Sequence, residues 1–199
     1  MTAQAELFGD ESARLPPGMQ YFDDIISQSD ERQLVAYIAG LPLKPFEFAG
    51  GFKGNRRVLS FGWRYDYAAQ RLSEALPIPD ELAGVRRIVA SRFKVPFENI
   101  AQALLTEYAP GAGIGWHRDK KMFGEIIGVS LLAPCKFRLR RQQEGTWDRM
   151  SFNAAPRSGY LLSGPARSLW EHSIPPLDQL RYSITFRTLL RGEAPEATK

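Results

Sequence analysis

His117 and Asp119 stand two apart in the segment GIGWHRDKK, and the chain contains one other histidine, His172. Residues two apart on a β-strand point to the same side. An H-x-D pair on a strand therefore presents an imidazole and a carboxylate to one cation while Arg118 points elsewhere. Two histidines and one carboxylate are the donor set of a non-haem Fe(II) site, which leaves the opposite face of the metal open for a co-substrate and oxygen. The third donor has to come from a distant strand, and His172 is the one candidate.

A second constellation follows His172. In RYSITFR, Arg181 and Arg187 are six apart and share one face of a strand, with Ser183 between them on the same face. A guanidinium inside a sheet needs a partner, and a carboxylate held by two parallel hydrogen bonds is the usual one. One such arginine suits the distal carboxylate of 2-oxoglutarate, whose other end chelates the iron.

A third stretch, residues 46–67 (FEFAGGFKGNRRVLSFGWRYDY), interleaves rings with Lys53, Arg56, Arg57 and Arg64. Gly50, Gly51 and Gly54 break it into short strands or a hairpin, and Val58, Phe61, Trp63 and Tyr65 include a period-2 set for one strand face. It reads as a basic, aromatic flap, and rings beside cations are how single-stranded or flipped bases are held. Arg138, Arg140 and Arg141 form another basic run, for which a solvated face is the plain reading and phosphate contact the sharper one.

The elements that must position these groups are legible in outline. Asp30 with Gln33 offers a capping-box start, and Leu34, Ile38 and Leu41 recur at helical spacing before Pro42. Residues 68–76 and 80–93 carry helix formers, the second with Leu82, Val85, Val89 and Phe93 at spacings of three and four. After Asn99 come short β-branched or aromatic runs at residues 101–108, 125–132, 136–140, 149–152, 159–163 and 181–190. Short strands in succession with no helical pattern between them argue for a sandwich or jelly roll rather than a parallel α/β sheet. The expected class is α+β, mainly β, with a loose polar arm over residues 1–19 and one domain over residues 20–199.

At 199 residues the chain can bury a sizeable core without disulfides or a structural metal, so a bound metal is expected to be catalytic. The hydrophobic share of 44% and charged share of 24% are those of an ordinary globular protein. Lys and Arg number 26 against 22 Asp and Glu, a net charge of +4 that permits a polyanionic partner without demanding one. The single Cys135 precludes an internal disulfide, suits a reducing cytoplasm, and reads as a small buried hydrophobe. No run approaches a membrane span, and a cytoplasmic monomer is expected.

With these residues in hand, the segment over residues 101–190 resembles the catalytic core of the AlkB family of Fe(II)/2-oxoglutarate dioxygenases. Tyr108 with Pro110 and Gly111 before H-x-D, the glycine and serine of IIGVSLL, Trp170 and His172 in LWEHSI, and RYSITFR carry the likeness. The stretch GNRRVLSFGWRYDY is similar to the family's nucleotide-recognition region. The resemblance implies a double-stranded β-helix, which is a jelly roll, with N-terminal helices packed on one sheet. It implies iron held by His117, Asp119 and His172, and Arg181 on the distal carboxylate of 2-oxoglutarate. Tyr108, Ser183 and Thr106 would contact the co-substrate, and Arg187 would support the ligating carboxylate.

The activity it implies is oxidative demethylation of N-alkylated bases, in DNA more than RNA, consuming 2-oxoglutarate and O2 and releasing succinate, CO2 and formaldehyde. Trp63 and Tyr65 would stack a flipped base, while Arg56, Arg57, Arg118, Lys120 and Lys121 would face phosphates. Two positions depart from the base-repairing pattern. Thr106 stands where those members have Asn, and Lys121 stands where the best-known bacterial type has an acidic residue. A lysine cannot accept a hydrogen bond from an exocyclic amine, which keeps RNA, tRNA or a protein side chain open as the substrate. A non-enzymatic basic jelly-roll module is the remaining alternative.

Overall fold

Alternation along the last strand sets the layers. Tyr182, Ile184 and Phe186 are buried in one apolar cluster, while Arg181, Ser183, Thr185 and Arg187 face the other way into a separate cavity. One side of this strand must therefore be covered by helices and the other by a second sheet.

The structure, a computed structural model, describes residues 15–47, 50–67 and 69–190. In chain order the elements are β1 (Met19–Phe22), α1 (Gln28–Ala39), β2 (Lys44–Glu47), β3 (Lys53–Phe61), β4 (Trp63–Asp66), β5 (Arg71–Glu74), α2 (Ala83–Phe93), β6 (Ile100–Tyr108), β7 (Ile114–His117), β8 (Phe123–Leu131), β9 (Cys135–Gln143), β10 (Thr146–Ala154), β11 (Gly159–Leu162), α3 (Gly164–Ser168), β12 (Glu171–Ile174) and β13 (Arg181–Leu189). A seven-stranded sheet runs β1-β11-β8-β13-β6-β3-β2, a four-stranded sheet runs β10-β9-β12-β7, and β4 pairs with β5 as a separate hairpin. The strand pairings are antiparallel, and the two larger sheets enclose an apolar layer of Phe137, Leu139, Phe152 and Tyr160 among others. This is the expected jelly roll.

Helices α1 and α2 cover the outer face of the larger sheet. Leu34 and Ile38 of α1 and Val85, Val89 and Phe93 of α2 join Leu105, Val129, Ile184 and Phe186 in one cluster. Helix α1 begins one turn earlier than the sequence suggests. The hydroxyl of Ser27 accepts the Asp30 N–H and the Asp30 carboxylate accepts the Ser27 N–H, a reciprocal cap centred on Ser27 rather than on Asp30 with Gln33.

The helix expected over residues 68–76 does not form. The chain turns at Gln70, with φ of 51°, and Arg71–Glu74 pairs back on Trp63–Asp66. Leu72 and Leu76 stand at helical spacing, but in the hairpin Leu72 is buried while Leu76 is 71% exposed, and cross-strand bonds win over propensity. The stretch read as a flap divides accordingly. Strand β3 belongs to the larger sheet, paired with β2 and β6, and the β4–β5 hairpin stands apart from it. Of the arm expected over residues 1–19, residues 1–14 lie outside the described residues, and Met19 pairs with Leu162 in the larger sheet.

Two glycines make the packing testable. A Cβ at Gly128 would fall inside the phenol ring of Tyr160, which is itself packed against Phe137 and Phe152, whereas a Cβ at Gly84 in α2 meets nothing. Gly128→Ala is expected to destabilise the fold by about 1–3 kcal/mol through overpacking. Gly84→Ala is expected to stabilise it by about 0.4–1 kcal/mol, both read from denaturant unfolding.

Candidate metal centre and co-substrate site

His117 ends β7, and its cross-strand partner is His172 of β12. Antiparallel pairing places the two imidazoles side by side, with ring centroids 4.2 Å apart. Asp119 does not sit on the strand, as a period-2 reading of H-x-D expects, because β7 stops at His117. Its carboxylate reaches the histidines from the loop, drawn in by Arg187. Both Arg187 Nε and Nη2 donate to Asp119 Oδ1, at 2.9 and 2.6 Å, leaving Oδ2 3.6 Å from His172 Nε2. One donor atom from each of the three residues lies within 4.8 Å of the others. Adjacent ligands about 2.1 Å from a shared ion lie about 3 Å apart, so a small contraction makes them a facial set.

The outer contacts prepare the ligands. His117 Nδ1 is 2.9 Å from the Gly115 carbonyl; donating there leaves the Nε2 lone pair for a metal. His172 stacks on Phe137, with centroids 5.3 Å apart and planes 13° from parallel. Burial, with His117 and the arginines nearby, pushes His172 down to about 3. Burial also lowers His117. Both imidazoles are thus neutral, the form that binds metal. Burial alone would raise Asp119, but the Arg187 guanidinium beside it, with Arg167 farther off, outweighs this and holds the carboxyl well below its ordinary range.

Arg181 is 1% exposed and lies at the floor of the same cavity. Its Nη2 donates to Ser130 Oγ at 2.7 Å, while Nε and Nη1 have no hydrogen-bond partner among the described residues. A buried guanidinium with two free N–H groups is costly and fits a carboxylate held side-on. Thr106, Tyr108 and Ser183, expected as neighbours of the co-substrate, line this cavity with Arg56 and the three metal-ligand candidates. The donor set and the unpartnered guanidinium together fit a divalent metal chelated by a dicarboxylic oxo-acid.

The expected substrate residues are more scattered. Tyr65, Arg118 and Lys121 line a groove of about 1190 Å³ that opens beside Asp119. Trp63, by contrast, packs against the layer between the sheets. Arg56 reaches the metal-site cavity with its guanidinium 4.2 Å from the Phe46 ring. Arg57 turns away from it, paired with Glu107 at 3.0 Å and donating to the Leu43 carbonyl. Lys120 lies over both Tyr65 and Tyr67, at 4.5 and 5.0 Å.

Three supporting residues carry no role in the sequence pattern as read above. Gln102 accepts from Arg187 Nη1 at 2.8 Å, and its position two, four and six before Leu104, Thr106 and Tyr108 is the signal that could have found it. Ser130 belongs to the IIGVSLL motif, which names no partner for it. Arg167 donates to the carbonyls of Lys120, Phe123 and Gly124, tying down the loop after Asp119, and nothing in its sequence context announces this. Cys135 is buried, and burial pushes its thiol up, as expected of an inert cysteine.

Because His172 titrates near 3 when folded and near 6.5 ordinarily, the unfolded chain takes up a proton in that window that the folded chain refuses. Stability of the metal-free protein is therefore expected to be flat above about pH 6.5 and to fall as pH drops below it. Asp119, also depressed, adds a loss in the same direction at lower pH. Thermal unfolding across pH 3–8 checks this, with His172→Gln flattening the slope. Arg187→Ala, which strands the Asp119 carboxylate, is expected to destabilise by about 3–5 kcal/mol and to abolish iron binding, read by denaturant unfolding and metal titration.

The profile of the 2OG-Fe(II) oxygenase superfamily matches residues 18–187. An Arabidopsis thaliana protein named Alkylated DNA repair protein ALKBH8 homolog is 26% identical over 88% of this chain and 56% of its own length. The Mus musculus tRNA (carboxymethyluridine(34)-5-O)-methyltransferase ALKBH8 is 27% identical over 87% of this chain and 27% of its own length. The chain thus spans about half, or about a quarter, of these relatives. Among solved structures, OsALKBH1 superimposes with a TM-score of 0.69 at 15% identity, covering 87% of this chain and 98% of that one. A Pseudomonas putida prolyl-4-hydroxylase gives 0.58 at 16% identity, covering 88% and 94%. The profile match over most of the chain, with the triad and the buried Arg181 beside it, shows the family: the chain belongs to the 2OG-Fe(II) oxygenase superfamily, enzymes dependent on Fe(II), 2-oxoglutarate and O2.

Proposed function

We propose that this dioxygenase oxidises an alkyl substituent on a nucleobase, with RNA, and tRNA in particular, as the polymer. The observation that carries the reading is the groove beside Asp119, where Arg118, Lys120, Lys121 and Arg167 converge with Tyr65. Several cations around one half-buried ring at the groove wall suit backbone phosphates and a stacked base. RNA is favoured over DNA by the relatives whose names specify tRNA and by Lys121, which lacks the acceptor that an exocyclic amine requires. Repair of N-alkylated DNA, the first expectation from sequence, is the second reading, and the name of the Arabidopsis relative supports it.

In this reading His117, Asp119 and His172 hold the iron and Arg187 keeps Asp119 ionised and oriented. Arg181 takes the distal carboxylate of 2-oxoglutarate on its free Nε and Nη1, flanked by Tyr108, Thr106 and Ser183. Bound iron, with 2-oxoglutarate and O2, supplies the oxidising power that inserts one oxygen atom into a C–H bond while the co-substrate becomes succinate and CO2. The chain's own part is placement and dryness: neutral imidazoles, a buried carboxylate, and a pocket walled by Phe137, Ile126 and Tyr160. If the oxidised group is a methyl on nitrogen, the hydroxymethyl product divides into formaldehyde and the free N–H. Residues 20–199 would act as one domain, with Tyr65, Arg56, Arg118 and Lys121 meeting the substrate, and Trp63 and Arg57 supporting the hairpin and β3.

The test is a panel of modified RNA and DNA oligonucleotides incubated with iron, 2-oxoglutarate and ascorbate, with oxidised nucleosides and formaldehyde measured. Oxidation of an RNA substrate in preference to DNA is expected; oxidation of DNA alone would select repair, and of neither, with 2-oxoglutarate still consumed, a different polymer. Arg181→Ala is expected to raise the KM for 2-oxoglutarate roughly 10- to 150-fold, the worth of a charged hydrogen-bonded pair.

A further inference from the structure

The outer face of the four-stranded sheet carries a set of basic groups that the metal site does not use and the fold only partly uses, Arg138 Nε donating to Ser173 Oγ at 3.0 Å. Strand β9 alternates buried Cys135, Phe137 and Leu139 with outward Lys136, Arg138 and Arg140. Register sets Arg149 of β10 directly opposite Arg140, and Ser151 opposite Arg138. Like charges placed opposite one another across a ladder repel. Glu171 pairs with Arg140 at 2.7 Å, but among the described residues Lys136, Arg138 and Arg149 have no carboxylate partner.

Two indoles are interleaved with these cations. Arg140 lies 4.5 Å from the Trp116 ring and 4.3 Å from the Trp147 ring, and Arg138 lies 5.0 Å from Trp116. A packed but inert surface accounts for these stacks. It does not account for a row of unneutralised cations, nor for Trp147 remaining 36% exposed. The face is an open sheet about four strands wide, roughly 14 Å between its outer strands at about 4.8 Å each. Such a surface cannot enter a groove of a duplex, and a duplex hides the base faces that exposed rings take up.

We infer that this face is a docking strip for single-stranded RNA flanking the nucleotide that is oxidised. Lys136, Arg138 and Arg149 take backbone phosphates and Trp147 stacks a base, while Ser151 and Asn153, exposed on the same face, meet 2′-hydroxyls. Trp116 lies two residues before Arg118, a wall of the substrate groove, so the strip begins at the groove's edge. The inference rests on the RNA reading of the substrate, and it concerns nucleotides that do not react.

The experiment measures binding of the full chain to a labelled, unmodified oligouridylate by fluorescence anisotropy, alongside the duplex and deoxy counterparts of the same length. Trp147→Ala is expected to weaken binding about tenfold, the order of one lost stacked base. Arg149→Ala is expected to lower the slope of log affinity against log salt by about 0.7, one phosphate on a single strand. Thermal unfolding and 2-oxoglutarate turnover without nucleic acid stay at the wild-type level for both. Unchanged affinity in both variants overturns the strip, as does equal loss on duplex RNA, equal affinity for the deoxy oligomer, or equally effective competition by polyglutamate. Failure here is separable from failure of the reaction. Normal oxidation of RNA with unaltered binding removes only the strip, while weakened binding in the variants with no oxidised nucleoside from any oligonucleotide removes only the reaction assignment.

Discussion

The contact between Arg187 and Asp119 holds the active end of this molecule together. Both side chains are nearly enclosed, at 11% and 6% exposure, where an unpaired charge would cost several kcal/mol. The guanidinium puts two donors on one carboxylate oxygen and a third on Gln102, so its hydrogen-bonding capacity is largely met and the second carboxylate oxygen stays free toward His172. A carboxylate that leaves its strand at His117 would be a mobile ligand on a loop. The ion pair makes it a fixed one, and Arg167 fixes the loop beyond it by closing on three backbone carbonyls.

Electrostatic balance around the site follows from the same economy of charge. One carboxylate faces Arg56, Arg187 and, farther in, Arg181, so the cavity carries an excess of positive charge even before a metal enters. Burial, reinforced by that excess, keeps both imidazoles deprotonated. It also makes a dianionic co-substrate the natural complement, since two carboxylates would offset both the metal and Arg181. The groove outside continues the positive sign through Arg118, Lys120 and Lys121, so the same field that favours the co-substrate also draws a polyanion toward the opening.

Much of this is legible in residue order because strands have a period of two. Alternation alone assigns Arg181, Ser183 and Arg187 to one face of one strand, and Tyr182, Ile184 and Phe186 to the other. The fold agrees, with one face under helices and the other in the cavity. The hairpin at residues 63–74 is illegible for the opposite reason. Its helix formers, with Leu72 and Leu76 four apart, favour a helix locally, but pairing with Trp63–Asp66 seats Leu72 in the apolar cluster, and pairing decides. The clamp expected of Trp63 and Tyr65 separates because the hairpin stands against the core at one residue and against the groove at the other.

The sequence by itself determined the donor types, the two-faced strand that carries both arginines, and the mainly β class, because these depend on residue identity and on spacings of two to six. Only the tertiary structure decided that His172 lies opposite His117, that Asp119 reaches the pair from a loop, and that Arg181 retains two free N–H groups while Arg57 is paired off. Those are contacts between residues separated by tens of positions. Their partners are selected by which strands become neighbours and in what register, and no local spacing encodes that choice.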